Sequence, residues 1–223
     1  MCFSAHASFI AGGLLIATGV VAGRRASRLN LDRRTRALSL FPIVFGVQQS
    51  LEGVVWLGIE GLAPPNLALF AAYGFLFFAL SFWPIAGPVT AFVAENCSTR
   101  RCLFALSILA GIVVSLYLAF IVLANPLRPV AVPKFGGHIA YLHGVEMIEG
   151  IEYIYCVTAC AALVLSSSRN ARLFGCALAF SFGVTMLVFP LDVVPSVWCF
   201  FAALCSAPLV APVMRRSSTR SAV

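Results

Sequence analysis

The chain has 223 residues, of which 61% are hydrophobic and only 10% charged, with a mean hydropathy of +0.99 and a formal net charge of +7. A soluble domain carries roughly 25% charged residues because its surface must meet water, and this chain cannot cover itself that way. Disorder, a disulfide scaffold and a coiled coil are excluded by the same arithmetic. Apolar runs of about 20 residues recur along nearly the whole length, which points to lipid as the solvent.

Read as spans, these runs cover 4–23, 37–60, 67–94, 102–124, 143–168, 173–189 and 196–214. The expected fold is all-α: a single domain over 1–223, forming an integral membrane bundle of seven transmembrane helices. Basic residues are sorted between alternate connections, with 13 of the 15 Lys and Arg in the first, third and fifth connections and the tail. Only Arg128 and Lys134 fall on the other face. The positive-inside rule then puts the N-terminus outside and the C-terminus in the cytoplasm. That arrangement requires an odd number of spans, in agreement with seven. The arginines therefore read as topogenic anchors facing anionic headgroups. A nucleic-acid partner is not expected, since the arginine-rich first loop lacks interleaved aromatics or a recognisable module.

Taken in chain order, the first span has no Lys or Arg ahead of it, unlike a cleavable signal peptide, and is expected to be retained. Cys2, at the outer mouth, is compatible with a nucleophile if the initiator Met is removed. The eight cysteines show no CxxC spacing and read mostly as small apolar residues within spans. The second span carries Gln48, Gln49, Glu52 and Trp56 on one face at helical spacing. Glu52 lies eight residues, or about 12 Å, from the outer end of its helix, so it is intramembrane. A carboxyl at that depth is a functional candidate as general acid or hydrogen-bond donor, or else glue between helices. Pro84 and Pro88 interrupt the third span and Pro208 and Pro212 the seventh, where neighbouring helices must satisfy the freed carbonyls.

The long outer connection from Asn125 to about Leu142, with Pro126, Pro129 and Pro133, is suited to cap the bundle. It leads into His138, Tyr141, His143, Glu146, Glu149 and Glu152. On a continuous helix His143, Glu146 and Glu149 would be one turn apart, although no HExxH or ExxxH pattern is present. Their simpler reading is solvated charge at headgroup level. Asp192, Ser196 and Trp198 also fall on the outer side. Trp56 and Trp198 suit either an interfacial belt or a substrate-stacking surface. Six of the eight acids lie outside or in outer membrane halves, so a polar site is expected to open outward.

Met1-Cys2-Phe3-Ser4-Ala5, Gln48-Gln49 with Glu52-Gly53 and Trp56-Leu57-Gly58, Phe82-Trp83-Pro84, and Ser196-Val197-Trp198-Cys199-Phe200-Phe201-Ala202-Ala203 carry a resemblance. They resemble a family of uncharacterised small bacterial multi-pass membrane proteins beginning MCFSA. The resemblance runs from first to last span, supports seven helices and supplies no activity. Its pattern draws together Cys2, Glu52, Trp83 and Trp198, and does not include the acidic run Glu146, Glu149 and Glu152.

Three functions follow as expectations for a multi-pass protein of the bacterial inner membrane, whose partners are the bilayer and a lipophilic small molecule. A membrane-embedded enzyme would use Glu52, His138 and Asp192 catalytically, with Gln48, Gln49, Trp56, Trp83, Tyr141 and Trp198 around a lipophilic substrate. A transporter or receptor-like sensor would use Glu52 as a protonation switch. A structural or assembly component would use Glu52 only as glue. Cofactor and metal use are open, and fold alone does not choose among the three.

Overall fold

A computed structural model describes residues 4–132, 137–144 and 147–215. Helix α1 (Ala5–Arg28) starts at Ser4, whose hydroxyl caps the Ala7 N–H at 3.3 Å. A short helix α2 (Arg33–Ser39), capped by Asp32, leads directly into α3 (Phe41–Ile59). Next come α4 (Pro65–Leu76), a π-helical segment Phe77–Phe82, α5 (Trp83–Ala94) and α6 (Ser98–Ala124). A two-stranded antiparallel hairpin follows, β1 (Arg128–Val132) and β2 (His138–Leu142), with Val130 opposite Ala140. The remainder is α7 (Ile151–Val164), α8 (Arg169–Val188) and α9 (Val194–Ser206), then a 3-10 turn (Ala207–Val210) and a last short helix (Ala211–Arg215).

Among the described residues five helical rods are long and apolar enough to cross a membrane: Ala5–Arg28, Thr35–Ile59, Pro65–Val93, Ser98–Ala124 and Arg169–Val188. Two shorter apolar helices, Ile151–Val164 and Leu191–Ser206, make seven. Large side chains such as Leu14, Phe70, Phe120 and Leu187 are exposed on the outer faces of the rods. The interior is aromatic, built on Phe41, Phe45, Trp83, Tyr155, Phe174, Phe182 and Trp198.

The third rod shows how the chain accommodates its prolines. Pro84 cannot donate a backbone hydrogen bond, and its ring crowds the carbonyl four residues earlier. The turn ahead of it widens into the π-helical segment, and two of that segment's carbonyls are met from neighbouring helices. Tyr155 Oη donates to the Ala79 carbonyl, and Ser115 Oγ donates to the Ser81 carbonyl at 2.7 Å. The backbone irregularity is thus paired with protein and not left to hydrocarbon.

Several expected boundaries move. The first span runs on to Arg28, so Arg24, Arg25 and Arg28 sit on the helix instead of in the loop; likewise α6 begins at Ser98 and α8 at Arg169. The fifth span, expected over 143–168, becomes helical only at Ile151. Gly144 (φ +67°) and Gly150 (φ +82°) hold left-handed backbone that a continuing helix cannot use. His143 and Glu149 therefore do not share a helix face, and Glu146 lies outside the described residues, as does Cys2. His138 and Tyr141 belong to a strand, which adds a hairpin to an otherwise helical fold. The seventh span, expected as one helix over 196–214, changes to 3-10 geometry at Ala207 where the sequence carries Pro208 and Pro212.

Helices α1 and α3 approach closely through glycine. A Cβ built on Gly46 would lie 2.7 Å from the Gly12 carbonyl, and one on Gly12 would lie 2.8 Å from the Gly46 carbonyl. Small residues permit this backbone proximity, which drives helix association where apolar burial cannot. Gly46→Val is expected to lower stability by about 1–3 kcal/mol through overpacking. Gly13→Ala, where a Cβ meets nothing within 4 Å, should be neutral. Thermal unfolding of the two variants in detergent checks the contrast.

Candidate functional site

Helix α3 places its polar side chains in the interior. Gln48, Gln49 and Glu52 are all fully buried, and Trp56 is buried one turn on. Glu52 Oε1 accepts from Ser196 Oγ at 2.5 Å, which joins α3 to the start of α9. Glu52 Oε2 accepts from Gln49 Nε2 across one turn at 3.4 Å. Trp83 Nε1 donates to Gln48 Oε1 at 2.8 Å, and its ring stacks on Phe45 with centroids 4.0 Å apart. Cys199, fully enclosed on α9, packs beside Glu52 and Gln48. Helices α3, α5 and α9 are thereby tied together by hydrogen bonds in the buried interior, where an unmet partner is costly.

The indole–amide bond offers a direct test. Trp83→Phe keeps a ring to stack on Phe45 but removes the donor to Gln48. Leaving a buried carbonyl unmet should cost about 1–3 kcal/mol of stability, read by denaturant or thermal unfolding.

The remaining expected residues divide between two places. Tyr141 is buried against Phe75, rings stacked at 5.1 Å, in the same apolar cluster as Trp56, Ile139 and Cys199. His138 is buried edge-on to Phe189 at 5.1 Å. Strand β2 lies against α9 and the 3-10 turn Leu191–Val193, so the hairpin covers the same end of the bundle that holds Ser196. Trp56 and Trp198 are both buried, in place of the interfacial setting considered for them. Trp198 Nε1 lies 3.2 Å from both the Leu178 carbonyl and Ser181 Oγ, and its ring meets Tyr155 and Phe182 edge to face.

Asp192 and Trp198 line a cavity of about 440 Å³ between the π-helical segment, α6, α7, α8 and α9. Its deep wall is Leu80, Leu118, Tyr155, Phe182, Trp198 and Cys199; its mouth carries His143, Glu149, Glu152 and Asp192. The late start of α7 at Ile151 leaves this space, and Met147 to Glu149 form its rim. Glu52, Gln48, Gln49, Trp56, Trp83, His138 and Tyr141 are not among the lining residues. Cys199 links the two regions, with one side to the cavity and the other to Glu52. Among the described residues no group of three His, Cys, Asp or Glu side chains is arranged to hold a metal ion.

At the opposite end of the bundle lies a feature the sequence reading passed over. Glu95, two residues beyond the third rod, is buried and accepts from the N–H groups of Asn96, Cys97 and Ser167 at 3.0–3.1 Å. Ser167 Oγ donates to both carboxylate oxygens at 2.7 Å, and Arg100 Nη1 stands 4.0 Å away. Burial works to raise this carboxyl, but the bonds from the Ser167 side chain and from the Cys97, Ser167 and Asn96 backbone outweigh it and hold its pKa at about 2 against an ordinary 4.5. A depressed carboxylate contributes stability that is fully present above about pH 4.5 and is lost as the pH falls toward 2. Glu95→Gln should flatten the dependence of melting temperature on pH within that window; a slope equal to that of the parent chain would contradict it.

The whole chain, residues 1–223, matches one family, described as a family of unknown function, DUF6629. No curated protein and no solved structure matches. The match extends over every span and over the interior residues described above, so the chain belongs to the DUF6629 family.

Proposed function

We propose that this chain is a seven-span cell-membrane protein, N-terminus outside and C-terminus cytoplasmic, that binds a lipophilic small molecule in the cavity between the π-helical segment and α6–α9. The sorting of basic residues supports the orientation. The cavity carries the binding reading. Its volume of about 440 Å³ falls within the roughly 300–1,000 Å³ of small-molecule sites, and it has their composition of apolar and aromatic walls with a few convergent polar groups. In this reading Glu52 is the hydrogen-bonded support behind the cavity floor. The Ser196 and Cys199 contacts make it responsive to what the floor touches, as in a receptor or transporter.

The Cys199 bridge also favours a second reading, a membrane-embedded enzyme in which Glu52 exchanges a proton with a lipophilic substrate from behind the floor. Glu52→Gln separates the two: it leaves ligand binding in place under the first and abolishes turnover of a folded protein under the second.

The binding reading is tested with N-phenyl-1-naphthylamine, a neutral lipophilic fluorophore, and the chain in phosphatidylcholine nanodiscs. Trp198 is expected to transfer energy to the probe in a saturable manner. Leu118→Trp, which fills the cavity, should remove the saturable component, and Met147→Trp at the rim provides a less invasive check. Equal, non-saturating uptake by the parent chain and both variants would defeat the reading.

A further inference from the structure

We propose that the ligand of this cavity is a cationic amphiphile, an apolar chain or ring system bearing an ammonium or phosphonium head; this rests on the cavity being a binding site. The argument is one of charge complementarity across a single space. The deep wall offers aliphatic and aromatic surface from Leu80, Leu118, Phe182 and Trp198. The mouth gathers three carboxylates, Glu149, Glu152 and Asp192, and no Lys or Arg is among the lining residues. Among the described residues Arg100 pairs with Glu95 at the other end of the bundle, and no ion pair engages Glu149, Glu152 or Asp192.

An anionic amphiphile placed here would meet three like charges at its head. A neutral one would leave the field of those carboxylates unused. A cation with an apolar body would bury the body on the wall and hold its head among the carboxylates of the mouth, whose charge complements it. A bare metal ion fits less well, since the described residues contain no three-ligand group for one and the apolar wall would have no part in holding it.

The test uses two ions of nearly equal shape and opposite charge, tetraphenylphosphonium and tetraphenylborate, with neutral triphenylphosphine oxide as reference. Each is titrated by equilibrium dialysis against the full chain in phosphatidylcholine nanodiscs, with empty nanodiscs subtracted. The cation is expected to bind at least about tenfold more tightly than the neutral compound, with no specific uptake of the anion. Asp192 is exposed and Glu152 half-buried, so Asp192→Asn and Glu152→Gln should fold. The pair should erase the preference for the cation while leaving the neutral compound unchanged. Equal binding of cation and neutral compound, or a preference that survives in the double variant, would overturn the inference and leave the cavity as a neutral site. Absence of saturable uptake for all three would overturn both the inference and the binding reading beneath it.

Discussion

An apolar helix bundle must satisfy its own backbone wherever a helix is interrupted, and in this protein that demand falls on the π-helical segment Phe77–Phe82. Tyr155 donates into it from α7 and Ser115 from α6. These two bonds fix the rod against both neighbours. The Tyr155 ring, held by its own hydroxyl, then supplies one wall of the cavity and an edge for Trp198 to pack on. Trp83, the first residue after the widened turn, is aimed at Gln48 and stacked on Phe45. Irregular turns of this kind occur frequently near functional sites, and here the irregularity stands between the buried polar network and the open space.

The two ends of the bundle are built by opposite means. One end is closed by the Glu95 carboxylate, which gathers the turn after α5 and the turn before α8 through saturated hydrogen bonding. The other is loosely finished, with a short hairpin and a stretch of left-handed glycines ahead of α7. Local stability in a protein follows such differences, and binding regions are drawn from the less constrained part. The proposed ligand space lies at the second end.

The apolar rods and the inward polar face of α3 were legible because both signals are local: composition over about 20 residues, and spacing of three or four along one helix. Glu52 stood out for that reason. The bond from Trp83 to Gln48 was not legible, since it joins residues 35 apart in sequence and no local pattern announces it. The start of α7 was misplaced because Val145, Met147 and Ile148 continue the apolar run, while the stop is written only in the backbone of Gly144 and Gly150. The hairpin was hidden among prolines that read as a plain loop. Glu95 carries no local signal, since it adjoins Arg100 and Arg101 in a basic segment and its partner Ser167 lies 72 residues away.

Helix α7 has 14 residues, or about 21 Å of length at 1.5 Å per residue, against a hydrocarbon thickness of about 30 Å. Its outward side chains Tyr153, Ile154 and Val157 are exposed. In the proposed membrane setting, acyl chains beside α7 would meet an apolar surface some turns shorter than the one beside the 27-residue α6. The leaflet next to the cavity mouth would then dip, or the rim would bear part of the mismatch. Such a dip would bring headgroups down to the level of Met147 and Ile148, and would make the thickness of the surrounding bilayer a variable that acts on the rim itself.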